Sequence, residues 1–371
     1  MKLLIIINKL FMLLSIFYII GCGDSENDSN PTEASNNENN IIEITHDIEE
    51  PTTWESDNIY VIKKWDFYVM NTLTIEEGTI IKFTDDGPSL TLGENGTIIA
   101  DGSSTEHIIF TSYKDDAHGG DTNGDNKATS PAQNDWGNIN TNSYNGSIFN
   151  YCDFYYGGDG SNSSTLYLFD SKVTITNCTF AHNNGGTTNF QDECVLEGSY
   201  AAAGTIIKNN IFYDNLRPLA ISPDINIDNS NIFHDPNNLQ TTNTYNGIYV
   251  YAVNHITSHI SWGETEVAFI IDGQDFYIIS GASLTLADNV ALKFTHNSTL
   301  NLSDGTSAII NHDGDGVYFT SYKDDNHKGD TNGDGNQSSP ADNDWIGIYD
   351  DTGTTPYPYY CTWTNIMYDS Y

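Results

Sequence analysis

Between residues 149 and 235 one short frame recurs four times: FNYCDFYY at 149–156, ITNCTFAHNN at 175–184, IKNNIFYDN at 207–215 and IDNSNIFHD at 227–235. Each has a polar, asparagine-containing lead, a small or polar residue, and phenylalanine two positions later, at Phe154, Phe180, Phe212 and Phe233. The intervals of 26, 32 and 21 residues fit one coil of a parallel β-helix, the longer ones carrying insertions. Stacked coils bring equal positions into ladders. The frame therefore predicts a phenylalanine column in the core and asparagines pairing their amides along the axis. From Ile59 onward the chain reads as short β-favouring runs, such as IYVI, LTIEEGTIIKF and HIIFTS, separated by Gly, Asn, Asp and Ser, with no sustained helical period. Such runs suit a sandwich, barrel, propeller or solenoid; the recurring frame selects the solenoid.

A second repetition is of longer range. FTSYKDDAHGGDTNGD at 110–125 returns as FTSYKDDNHKGDTNGD at 319–334, 209 residues on, and 21 of the 30 positions of Phe110–Ile139 and Phe319–Ile348 are identical. The strands just before share little beyond KFT. Loops ordinarily drift more than the strands they join, so this loop has structural demands of its own. Asp121, Asn123 and Asp125 stand at i, i+2 and i+4, and Asp330, Asn332 and Asp334 repeat the arrangement. Alternate side chains of a tight turn can converge on one ion, with Gly124 and Gly333 allowing the sharp backbone path. Carboxylate and amide oxygens suit Ca²⁺ better than zinc. The pattern D-x-N-x-D-G is complete only in the second copy, at Gly335, because Asn126 takes that place in the first. Neither copy is an EF-hand, since Ala132 and Ala341 hold the twelfth position and no amphipathic helices flank the loops. Asp115, Asp116, Asp135, Asp324, Asp325 and Asp344 are the candidates to complete the ligand sets. The alternative is that these side chains only cap turns by bonding to their own backbone. His118 and His327, also matched, read as hydrogen-bonding residues.

Both copies resemble modules of the right-handed parallel β-helix (pectin-lyase-like) surface proteins of bacteria. Those modules open with Trp, continue as LTIEPGTVIKF, and carry FTSxKDD and GDTNGDG before DW. The matching residues are Trp54, LTIEEGTIIKF at 73–83, FTSYKDD at 110–116, GDTNGD at 120–125 and Asp135-Trp136. In the second copy they are Trp262, LTLADNVALKF at 284–294, FTSYKDD at 319–325, GDTNGDG at 329–335 and Asp344-Trp345. The resemblance implies an all-β, right-handed solenoid of two tandem unequal modules, 54–236 and 262–371, joined by a connection at 237–261. It also implies a cell-surface setting, but no activity, since this fold carries lyases, hydrolases, adhesins and scaffolds alike. The second module stops at Tyr371, and an open β-helix end is a pairing edge. Its last coil is expected to be covered by a neighbouring copy or the other module, unless the gene is truncated.

Residues 1–21 have a basic start at Lys2, a mostly apolar run and no acid, the pattern of an export signal. IIGC at 19–22 resembles the bacterial lipobox, which makes Cys22 the lipidated new N-terminus. An uncleaved membrane anchor is the alternative, and Lys9 interrupts it. Residues 22–53 read as the lipidated cysteine and a flexible acidic tether, because GDSENDSNPTEASNNENN has too little apolar surface to offset its ordering entropy. The expectation from these features is a bacterial envelope protein held to the membrane by lipid; the acidic stretch after Cys22 resembles that of surface-exposed outer-membrane lipoproteins, and the periplasmic face is the alternative. Loss of Lys2 and Lys9 with the leader leaves 11 basic residues against 51 acids. Nucleic acid is then a poor partner and a hard cation a good one. Cys152, Cys178, Cys194 and Cys361 read as buried thiols, with a Cys152–Cys178 bridge as the alternative that export permits.

Lyases on the resembled fold use basic groups to hold uronates, and the chain has one arginine, Arg217 in NLRPLA. The NTD, DD, GHG and RIK contexts of the hydrolases form no set here, and no G-x-S-x-G occurs. The functional expectation is therefore a calcium-stabilised envelope protein that binds or displays, with a glycan or surface protein as ligand. Tyr151, Tyr155, Tyr156, Tyr357, Tyr359 and Tyr360 offer rings that can stack on sugars. The alternative is a polysaccharide lyase or glycoside hydrolase.

Overall fold

Runs rich in Ile, Leu, Val, Phe and Thr form strands of two to five residues, and Gly, Asn and Asp turn the chain between them. The computed structural model describes residues 40–371 other than 86, 144–145, 160–163, 187–192 and 353–358. The leader, Cys22 and most of the tether lie outside the described residues. Each coil visits three sheets in turn, as Thr52–Trp54, Asn58–Ile62 and Asp66–Val69 do, followed by Thr72–Ile75, Ile80–Phe83 and Ser89–Leu92. The result is a seven-stranded, a ten-stranded and a six-stranded sheet, of which the ten-stranded one continues through the second copy beside a three-stranded and a four-stranded sheet, built mainly from parallel pairs of consecutive coils. This is a parallel β-helix, the all-β solenoid that the recurring frame predicts.

The ladders form. Phe110, Phe154, Phe180, Phe212 and Phe233 stack with ring centroids 4.9, 4.6, 5.1 and 5.3 Å apart, close to the spacing of adjacent strands. All five are fully buried. At the turns, the Asn183 amide donates to Asn215 Oδ1 (3.2 Å), Asn215 to Asn243 Oδ1 (2.8 Å) and Asn210 to Asn231 Oδ1 (3.1 Å). The motif tryptophans meet the motif phenylalanines: Trp136 lies on Phe83 and Trp345 on Phe294, each at 4.1 Å and nearly parallel. Cys152, Cys178 and Cys361 are free thiols, and they and Cys194 are buried.

Residues 40–53, read as the end of the tether, are instead part of the first coil. Asn40–Ile44 pairs in parallel with Asn58–Ile62, and Ile48 is buried. Ile42, Ile44 and Ile48 alternate with polar residues and supply an inward face that residues 23–39 lack. The ten-stranded sheet runs from Asp66–Val69 to Tyr318–Ser321, and its member Gly247–Val250 lies inside the segment read as a connection. Both copies thus belong to one stack of coils. They are out of phase in it, because the first loop follows Ile108–Ser112 of the seven-stranded sheet and the second follows Tyr318–Ser321 of the ten-stranded one. Residues 359–371 pack on the coil of the second loop, where Tyr359–Tyr360 pairs antiparallel with Gly347–Asp350 and Ile366 bridges to Phe319.

Candidate metal centre

Each repeated loop has a neck built from its motif residues. In the first copy Thr111 donates to Asp115 Oδ2 (2.7 Å) and Ser112 to Asp135 Oδ2 (2.7 Å), while Lys114 pairs with Asp135 Oδ1 (3.0 Å). In the second, Thr320 donates to Asp324 (2.6 Å), Ser321 to Asp344 (2.7 Å), and Lys323 pairs with Asp344 (2.6 Å). His118 and His327 each bond the buried aspartate three residues before them at 2.6 Å. Burial would raise the Asp115 carboxyl, but its bonds to His118, Thr111 and the Ala117 N–H outweigh that and hold it below the usual range. Asp135 and Asp344 therefore clamp the two ends of each loop together, Asp115 and Asp324 brace its first turn, and the oxygens of all four are already bonded. The two histidines take the hydrogen-bonding role read from the sequence.

Beneath each loop lies a buried lysine outside the acidic motif. Lys82, on Ile80–Phe83, and Lys293, on Ala291–Phe294, are fully buried. Lys82 Nζ donates to Asp115 O (2.8 Å), Gly120 O (2.9 Å) and Thr122 Oγ1 (3.1 Å). Lys293 Nζ donates to Gly329 O (2.7 Å) and Thr331 Oγ1 (3.0 Å). Burial pushes each amine down to about 8, against the pull of the neighbouring loop aspartates, so both remain ammonium ions at neutral pH. The signal was present in the repeated Lys-Phe that closes LTIEEGTIIKF and LTLADNVALKF.

The tips carry the predicted ligands. Asp121 accepts from the N–H groups of Gly124 (2.6 Å), Asp125 (3.2 Å) and Asn126 (2.9 Å), and Asp125 from those of Ala128 and Thr129, both at 2.9 Å. Asp330 accepts from Asp334 (3.2 Å) and Gly335 (2.7 Å), and Asp334 from Gln337 (2.9 Å) and Ser338 (3.0 Å). Asn123 and Asn332 accept from the N–H two residues on, each at 3.2 Å. Turn capping by these side chains is thus realised in both copies. The chain passes through the left-handed region at Asn126 (φ 56°) and Gly335 (φ 62°), a conformation open to Gly and tolerated by Asn.

The second copy adds a convergence. Asp325, Asp330 and Asp334 each present a carboxylate oxygen within 4.8 Å of the others. Asp325 Oδ1 is buried without a hydrogen-bond partner, as is its counterpart Asp116 Oδ1 in the first loop. Burial first, then the charges of Asp330 and Asp334, raise the Asp325 carboxyl above its usual value. Among the described residues no corresponding group of three forms in the first loop. Three carboxylates at this spacing, with no nitrogen or sulfur among them, can hold a hard cation.

The other sequence candidates are placed as follows. Arg217 is buried, with its guanidinium over the rings of Tyr245 (4.9 Å) and Tyr249 (5.8 Å) and bonded to Gly186 O (2.6 Å). Tyr155 and Tyr156 pack with His118 and His182, Tyr359 is exposed and Tyr360 stacks on Tyr371. Tyr357 lies outside the described residues. Comparison of the chain with protein-family models, with curated proteins and with solved structures returns no match.

Proposed function

We propose that this protein is a lipid-anchored, calcium-stabilised β-helix of the cell envelope that binds or displays rather than catalyses, with a glycan or surface protein as ligand. The convergence of Asp325, Asp330 and Asp334 on a loop already seated by Lys293 carries this reading. A divalent ion there would relieve the repulsion that raises Asp325 and would give its Oδ1 a partner. Calcium fits because it takes oxygen ligands at about 2.3–2.6 Å, so two of them can stand almost 5 Å apart across the ion. The lipobox-like IIGC and the likeness of the loop motifs to pectin-lyase-like surface proteins support the envelope setting. The binding role is supported by a row of rings, Tyr167–Phe169 (5.9 Å), Phe169–Tyr200 (5.7 Å) and Tyr200–Tyr251 (4.7 Å), in which Phe169 is exposed.

The test is a thermal melt of the soluble chain with calcium or with chelator. Calcium at a hundredfold over its Kd adds about 2.7 kcal/mol, and the resulting rise in Tm should vanish in Asp330→Asn but survive in Asp121→Asn. No rise in the unmodified protein would leave turn capping as the whole role of the tips. Depolymerisation of any member of a panel of acidic and neutral polysaccharides would replace the display reading with the lyase or hydrolase alternative.

A further inference from the structure

The second loop is held to the solenoid at a point that the first lacks. Lys328 stands where the first copy has Gly119, and its Nζ donates to Thr265 O at 2.6 Å. One residue before Thr265 is Glu264, fully buried. Glu264 Oε1 accepts from the N–H groups of Thr265 (2.8 Å) and Glu266 (2.7 Å), whereas Oε2 is buried with no partner. Both hydrogen bonds fall on Oε1, so ionisation would place charge on an Oε2 that no donor stabilises. Burial pushes this group up to about 7; the two backbone bonds and Lys328 pull against it, and Glu266 adds to it. The charged groups facing Glu264 are Glu266 from its own turn and Lys328 from the loop. Glu266 is itself engaged by His234 Nδ1 (2.6 Å) and the Phe233 N–H (3.1 Å).

We propose that Glu264 and Lys328 form a proton-operated catch on the second loop. While Glu264 is neutral, the Lys328 ammonium bonds Thr265 O. When Glu264 ionises, its unpartnered Oε2 becomes a buried anion one residue from that carbonyl, a charge the closed loop holds away from water, and the loop is released. An opened loop gives Glu264 back to water, where its ordinary value is 4.5. The closed state therefore binds the proton more tightly. Its advantage is complete at low pH and is lost as pH rises toward 7.

Amide hydrogen exchange on the whole protein tests this, between pH 5.5 and 8.5, corrected for intrinsic rates and with EDTA present so that the result is independent of any cation. The first loop has no such catch and serves as the internal control. Protection in residues 322–344 should fall about thirtyfold across this range relative to residues 113–135, as a group at about 7 in the closed state and 4.5 in the open one produces. Glu264→Gln should remove the fall. Lys328→Gln keeps a donor for Thr265 O but no charge, and should steepen it. The proposal is overturned if the two loops track each other at every pH, or if the fall persists in Glu264→Gln. Should that variant not fold, an unchanged slope in Lys328→Gln overturns it as well.

Discussion

The ammonium of Lys82 is enclosed by the loop it holds, and three acceptors converge on it. Methionine matches the stem of the side chain but donates nothing. Lys82→Met would leave buried acceptors unpaired at about 1–3 kcal/mol each, partly offset because no ammonium then has to leave water. A net loss of about 1–3 kcal/mol in denaturant unfolding is expected. A second readout comes from pH. The folded-state value of about 8 lies below the ordinary 10.5, so the native chain gives up this proton before the unfolded chain does. The burial penalty is therefore complete below pH 8 and is relieved between 8 and 10.5, where stability rises with pH. The variant has no such relief at position 82, and its gap to wild type should widen from pH 8 to 10. A gap that stays level would show that Nζ is not desolvated.

At the scale of elements, the asparagine ladder joins coils that the sheets alone leave linked only by backbone bonds. Asn215 donates to Phe180 O and Asn243 Oδ1, both at 2.8 Å, and its Oδ1 accepts from the backbone and side chain of Asn183 (3.0 and 3.2 Å). Asn215→Ala strands several buried polar groups at once and should cost at least about 2 kcal/mol, read as a drop in Tm. An Asn229→Ala control, at the coil surface, should move it far less. These ladders were legible in the chain because residues of one kind at coil intervals are forced into contact once coils stack. The pairing of Trp136 with Phe83 and of Trp345 with Phe294 could be inferred only as a shared need for both residues, since partners some fifty residues apart carry no period between them. Lys82 and Lys293 repeat in the chain, but their role was hidden for a different reason. A lysine on a strand reads as a solvated residue, and it is buried here by a loop folding back over the sheet. All three members of the triad were named in the sequence: Asp330 and Asp334 follow from the alternation in the turn, whereas Asp325, one of six candidates to complete the sets, is singled out only by the path of the neck. The coil phase of the two loops depends on the summed lengths of the insertions, which no single motif encodes.

At the scale of the molecule the question is whether two copies of a motif make two folding units. In a solenoid no coil can bury its core faces alone, so cooperativity is set by the contact between neighbours. The joint between the copies is as apolar as the interior of either. Leu219, Ile248, Phe269 and Leu292 stand in register on consecutive strands of the ten-stranded sheet, all fully buried. Calorimetry should accordingly show one transition whose van't Hoff and calorimetric enthalpies agree. Phe180→Ala, in the first copy, removes one ring of the column at about 3–5 kcal/mol, and Leu292→Ala, in the second, removes a buried side chain at about 2–5 kcal/mol. Both should shift the same peak. Two transitions, with each substitution moving only its own, would mean that the joint transmits little energy in spite of its burial, and that residues 54–236 and 262–371 stand as separate units on one continuous sheet.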